Sequence, residues 1–298
     1  MLYLLACHHA EELSPTESTP ATESLPTSAF RFAVLADTHV YAAEGEHRDR
    51  LRTAVDWLNS QKDSISLVLL VGDIAWGDGL PGARAELDRL LLPWVPINGD
   101  NEVQLGSEEA YATTFADHYV ALAGQLEGWQ MGAVEVPNPE EGVPSWFHNV
   151  SFRFEGLHFL GLDWASRKID PLLGETGMLH DFPGGTYPWF EEQLSATEGA
   201  EPESVVLFSH IPMHPSPGGF DVEKNARIQA LIKPYGDRVW ADLAGHYHVT
   251  ADEAEEAGYP LYVTDAVWDD SLDLRLVDAS FDGRKWSFVT EVTNLPFP

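Results

Sequence analysis

At 298 residues, with 44% hydrophobic and 11% aromatic content, the chain has the length and composition to bury a substantial globular core. Its 48 acidic residues against 17 basic ones give a formal net charge of -31. Such a surface repels polyanions and anionic headgroups, which argues against a nucleic-acid binder and suits a soluble protein in a saline medium, where screening acts within roughly 8–10 Å.

The first thirty residues differ from the rest. The only cysteine, Cys7, rules out an intramolecular disulfide or a cysteine metal site. No stretch reaches the roughly 18 apolar residues of a membrane span. The opening MLYLLAC has a short apolar run with no basic residue before it, yet Leu-Leu-Ala-Cys resembles a bacterial lipobox. That resemblance implies lipidation at Cys7. The Ser, Thr, Pro and Glu that follow cannot bury enough apolar surface to fold. Residues 1–30 therefore read as a truncated lipoprotein-like signal and a disordered tether. The expected location is the bacterial cell envelope, periplasmic or at the surface. The alternative is a frayed terminus on a cytoplasmic protein.

From Arg31 buried strands alternate with helices. RFAVLAD is a strand, HRDRLRTAVDWLNSQ places Leu51, Val55 and Leu58 at helical spacing, and SLVLLVGD is a second strand. GARAELDRLLLP reads as a helix ended by Pro93, and WVPINGD as a third strand. This alternation predicts βαβ units and a largely parallel sheet. WFHNVSFRFEGLHFLGLDWA predicts a hairpin turning at Glu155-Gly156, and YPWFEEQLSA a helix with Pro188 in its first turn. SVVLFSH, RVWADLAGH and YPLYVTDAV resume the buried strands. A half-exposed hairpin around Asp282-Gly283 closes the chain. Residues 31–298 thus form one α/β domain with two sheets and outer helices. Segments 103–145 and 165–190 read as variable loops that wall a cleft.

Five stretches put metal-ligand residue types just past the end of a buried strand: LADTHV, LLVGDIAW, INGDNE, LFSHIPMH and LAGHYHV. In open α/β sheets ligands bind at that edge, so these loops are expected to converge. On an extended segment residues i and i+2 point the same way, so Asp37/His39 and His246/His248 can each offer two ligands to one side. Singly, each stretch fits a turn or helix cap. Together they crowd carboxylates that repel by roughly 4 kcal/mol per pair at 4 Å and an effective dielectric near 20. None of the five contains a Lys or Arg. A bound cation resolves the conflict.

In this order the stretches resemble the calcineurin-like metallophosphoesterases, whose pattern runs D-x-H, G-D, G-N-H-[DE], a His after a strand, then G-H-x-H. The resemblance spans about Phe32 to the C-terminal strands. It implies a four-layer αββα sandwich, two mixed sheets flanked by helices, with a dinuclear centre of two divalent or mixed-valence ions (Mn, Fe or Zn). By position, Asp37, His39 and His248 would hold one ion, and Asp100, His210 and His246 the other. Asp73 would bridge them. A bridging hydroxide would attack a small-molecule phosphate ester, mono- or diester.

The chain departs from the family at Gly99-Asp100-Asn101-Glu102, where G-N-H-E is usual. Asp100 replaces a neutral Asn ligand. Asn101 replaces a His near the phosphate, and its amide can donate a hydrogen bond but not a proton. His214 and His180 are expected substitutes for the missing acid, the alternative for both being a surface histidine. Arg167 is an expected phosphate clamp, or else a solvated loop residue. Purple acid phosphatases carry a Tyr ligand three residues after the bridging Asp. Here that place is Trp76, expected as packing or a wall of the substrate cleft. The substitution at Asn101 also motivates a second expectation: a catalytically weak, metal-containing binding protein of the envelope.

Overall fold

A computed structural model describes residues 28–104, 107–167, 176–197, 204–253, 259–269 and 271–297. Cys7 lies outside them. Among the described residues no helix is long and apolar enough to cross a membrane.

Strands β1 (Ser28–Leu35), β2 (Leu67–Val71) and β3 (Trp94–Ile97) run parallel, pairing Phe32 with Leu67 and Val68 with Trp94. Their near-continuous apolar runs follow from being covered on both faces. β13 (Asp273–Phe281) joins β1 antiparallel and β14 (Trp286–Asn294) forms the edge, giving the order β14-β13-β1-β2-β3. The second sheet has seven strands. It contains β4 (Glu127–Met131), β7 (Val150–Phe154), β8 (Leu157–Leu162), β9 (Val205–Ser209), β10 (Val239–Ala244), β11 (Ala251–Glu253) and β12 (Leu261–Val263). Their order is β11-β12-β10-β9-β8-β7-β4, with β8, β9, β10 and β12 parallel.

Alternation along the second sheet builds the layers. Phe159, Val206, Phe208 and Leu243 face the first sheet in one core. The Phe32 and Phe159 rings meet edge-on there at 5.5 Å. Leu160, Leu162, Val205 and Leu207 face the other way, into a core shared with α5 (Thr186–Ala196) and α6 (Val222–Ile232). Helix α1 (Glu46–Ser60) covers the first sheet through Leu51, Val55 and Leu58, with α2 (Leu80–Leu87) beside it. The result is the expected two-sheet sandwich flanked by helices.

The hairpin at Glu155-Gly156 forms as expected, with φ of 50° and 88°, the pair of left-handed residues a tight two-residue turn requires. Two expectations change. α2 ends at Leu87, well before Pro93, because the following leucines alternate: Leu90 and Leu92 are buried while Leu91 is exposed. Segment 103–145 is largely structured. After the short α3 (Asp100–Val103) it holds α4 (Glu108–Leu122), β4 and a small hairpin of β5 (Glu135–Asn138) and β6 (Val143–Trp146). α4 lies against α2 and buries a face bearing Tyr111, Phe115 and Leu122 in the core between helices and first sheet.

Candidate metal centre

Every donor expected from the sequence stands just past the carboxyl end of a strand. Asp37 and His39 follow β1, Asp73 follows β2, Asp100 follows β3, His210 follows β9, and His246 and His248 follow β10. Backbone hydrogen bonds zip the first two loops together: His39 N–H donates to the Asp73 carbonyl at 2.9 Å and Val40 N–H to that of Ile74 at 3.0 Å.

The donors fall into two sets of three, Asp37/His39/His248 and Asp100/His210/His246, each offering ligand atoms within 4.8 Å of one another. His39 Nε2 lies 3.2 Å from His248 Nε2, and these nitrogens lie 3.5 and 3.3 Å from Asp37 Oδ1. In the second set, Asp100 Oδ1 is 2.9 Å from His210 Nε2 and 3.2 Å from His246 Nδ1. Asp73 stands between them, Oδ2 3.4 Å from His39 Nε2 and Oδ1 3.3 Å from His210 Nε2.

These donors fit a divalent ion. Donors sharing one ion at about 2.0–2.2 Å lie about 3.0–3.5 Å apart. The second ring nitrogen of two imidazoles is committed elsewhere: His210 Nδ1 donates to the Val71 carbonyl, and His246 Nε2 to that of Gly218, both at 2.9 Å. Once it gives up its second proton, each ring therefore turns a lone pair to the centre. Asp37 Oδ1 is buried without a hydrogen-bond partner. Burial and the neighbouring Asp100 charge push the Asp73 carboxyl well above the carboxylate range. Burial also opposes ionisation of Asp37 and Asp100, but the imidazoles of His248 and His39 beside Asp37, and of His210 and His246 beside Asp100, hold both below it.

The convergence does not come from extended backbone, as i, i+2 spacing suggested. Asp37, His39, Asp73, His246 and His248 adopt left-handed φ of 51°, 45°, 48°, 73° and 50°. Such residues cost on the order of 1–3 kcal/mol each and persist where surroundings over-determine them. Two glycines show that crowding: a Cβ on Gly99 would fall on the Asp73 carboxylate, and one on Gly245 on Asp37 Oδ2.

Glu102 clasps two of the loops. Fully buried, it accepts from Ala75 N–H at 2.7 Å and from Gly99 N–H at 2.6 Å. Burial raises its carboxyl to about 7 despite those two donors. Asn101 lines the cleft, but its amide donates to Asp73 Oδ2 at 2.7 Å and its backbone N–H to Asp73 Oδ1 at 2.9 Å. It is first a holder of the central carboxylate.

The cleft has a volume of about 470 Å³. Besides five of the donors (His39, Asp73, Asp100, His246 and His248) and Asn101 it is lined by Tyr41, His47, Trp76 and Trp268. Trp76 is the expected wall, 40% exposed and perpendicular to the His39 ring. Among the described residues the walls come from those after β1, β2 and β12, and from none in segments 103–145 and 165–190. Trp268 is set by its backbone N–H donating to the Asp37 carbonyl at 3.3 Å. The strand-end rule that located the donors points equally to Tyr41 and Trp268, two residues past His39 and five past β12. His47 sits at the start of α1, its Nδ1 donating to the His39 carbonyl at 2.6 Å. No sequence signal marks it.

Three expected residues lie elsewhere. Arg167 is neither a phosphate clamp nor solvated: it is buried, bonded to Asp163 at 2.6 Å and Glu108 at 2.9 Å, and covers the Phe147 ring. Its short reach to those carboxylates decides its direction. His180 is buried, with Nε2 donating to the Ala165 carbonyl at 3.0 Å. His214 is buried in the loop before Phe220, whose N–H donates to its carbonyl. Neither lines the cleft.

Facing mixed sheets with an Asp/His cradle at their carboxyl edges define a metal-dependent phosphoesterase. The family model for calcineurin-like phosphoesterases matches residues 30–250, and the chain belongs to that family, whose chemistry implies divalent metal ions. No curated protein matches the chain in sequence. Among solved structures it is similar to a dimetal phosphatase from Danio rerio, with 17% identity and a TM-score of 0.58 over 88% of this chain and 98% of that one. It is also similar to a purple acid phosphatase from yellow lupin seeds, with 13% identity and a TM-score of 0.52. That likeness covers 90% of this chain and 52% of the lupin protein, so the chain spans about half its length. At these identities the likeness is one of fold.

Proposed function

We propose that the protein hydrolyses phosphate esters at a centre of two divalent cations. The observation that carries this reading is Asp73, which turns one carboxylate oxygen toward each of the two donor sets. Asp37, His39 and His248 would hold one cation, Asp100, His210 and His246 the other, and Asp73 would contribute to both. When bound, such a pair supplies Lewis acidity at the phosphoryl oxygen and a hydroxide nucleophile at neutral pH.

The chain's own residues fix that centre and shape its mouth. The Val71 and Gly218 carbonyls orient His210 and His246. Asn101 restrains Asp73, and Glu102 ties the Asp73 loop to the Asp100 loop. Among the described cleft residues, His47 is the one histidine outside the seven donors, and with Nδ1 donating to the His39 carbonyl its neutral ring leaves Nε2 as a hydrogen-bond acceptor. Tyr41, Trp76 and Trp268 bound the space above.

The test is metal removal. Exhaustive chelation should abolish turnover of an aryl phosphate monoester and diester, and Mn should restore it. Asp73→Asn should lower metal content and reduce turnover by about 10³-fold or more, a loss of roughly 4 kcal/mol in barrier terms. Metal-loaded protein inert toward both esters would overturn the reading in favour of a metal-containing binding protein. Full activity after metal removal would overturn it altogether.

A further inference from the structure

The cleft walls carry information about the ester itself. Taking the phosphoesterase reading as its basis, we propose that the substrate is a phosphodiester bearing a single negative charge, with a planar aromatic group on one arm.

Two features set the charge. No Lys or Arg lines the cleft among the described residues. Four of the described guanidinium groups are committed elsewhere: Arg48, Arg52 and Arg89 converge on Glu86, and Arg167 lies between Asp163 and Glu108. A dianionic monoester would therefore meet no side-chain cation. The second feature is Asp100. Its carboxylate, with those of Asp37 and Asp73, offsets all but about one positive charge of two divalent ions. A neutral ligand at that place would leave about two. That lower charge favours a monoanionic phosphoryl group, and the second charge of a dianion would meet less compensation than beside a neutral ligand.

The aromatic walls set the shape. Tyr41 is 51% exposed and Trp76 40% exposed, large apolar surfaces held open beside a polar centre. Trp268 and the His47 ring, with centroids 5.2 Å apart, complete the wall. Planar groups stack on such faces, and a cleft of about 470 Å³ accommodates a phosphoryl group with one ring system.

Three inert probes separate charge from shape: diphenylphosphinate (monoanion with rings), phenylphosphonate (dianion with a ring at pH 8) and dimethylphosphinate (monoanion without rings). Binding to the metal-loaded protein is read by calorimetry at pH 8. Diphenylphosphinate should bind at least 10-fold more tightly than either of the others. Trp76→Ala should erase its advantage over dimethylphosphinate while keeping that over phenylphosphonate. Asp100→Asn, with metal content checked, should shift the preference toward phenylphosphonate by about 10-fold. Phenylphosphonate binding as tightly as diphenylphosphinate overturns the charge assignment, and equal binding of the two phosphinates overturns the aromatic one. Efficient hydrolysis of alkyl monoesters sinks this inference and leaves the phosphoesterase standing. The expected probe ranking without turnover of any ester does the reverse.

Discussion

Around Arg167 and around Asp73 the chain buries carboxylates to similar depth, and it treats them in opposite ways. Asp163 and Glu108 are met by a guanidinium at 2.6 and 2.9 Å. Burial works against the ionised Asp163, yet the Arg167 charge holds its carboxyl below the usual range. Asp37, Asp73 and Asp100 are met by imidazoles and neutral amides, with no Lys or Arg among the described cleft residues. The first cluster is closed, each charge answered from within. The second is left open toward a cation from solution, which makes it a site.

Breaking the closed cluster gives the largest effect. Arg167→Met leaves Asp163 and Glu108 buried and unanswered, so a destabilisation of about 3–5 kcal/mol is expected in denaturant melts. Metal content per folded molecule should stay at the wild-type value. A loss of bound metal without a loss of stability would assign Arg167 to the site after all.

A further buried carboxylate, Asp242, has neither cation nor imidazole. Its partners are Met213 N–H at 3.0 Å and Ser209 Oγ at 3.3 Å. Burial raises its carboxyl to about 7, and those two donors only partly oppose this. The folded protein therefore holds this proton to a higher pH than the unfolded chain, whose carboxyl titrates near 3.8. Its contribution favours folding at low pH, declines as pH rises from about 4 to about 7, and is flat above. Asp242→Asn should remove that part of the slope, a change of about 2–4 kcal/mol across the window, visible as melting temperature against pH. An unchanged slope would show the carboxylate to be ionised throughout.

Glu102 gives a smaller effect. Glu102→Ala strands the Ala75 and Gly99 N–H groups and should cost about 1–3 kcal/mol, with looser metal retention in competition with a chelator. Loss of stability with metal affinity intact would separate the clasp from the site.

The seven donors are legible in the sequence because each follows an apolar run that can only be a buried strand, and sheet topology does the rest. How they aim is not. The left-handed turns at Asp37 and Asp73 arise from loops zipped together across the sheet, which local spacing does not encode. Arg167, His180 and His214 defeat sequence reasoning for a related reason, since a side chain's direction depends on partners distant in sequence, as Glu108 is from Arg167. α4 is a different case. Tyr111, Phe115 and Leu122 mark one helical face within 103–145, and that periodicity alone is enough to separate a helix from loop.

The tight seating of Gly99 on Asp73 and of Gly245 on Asp37 has a consequence for how ions come and go. Loops that interlock by contact between their own atoms are assembled before loading, so filling the centre resembles seating a bearing in a finished housing. Ions can then leave and be exchanged for others while the polypeptide keeps its shape.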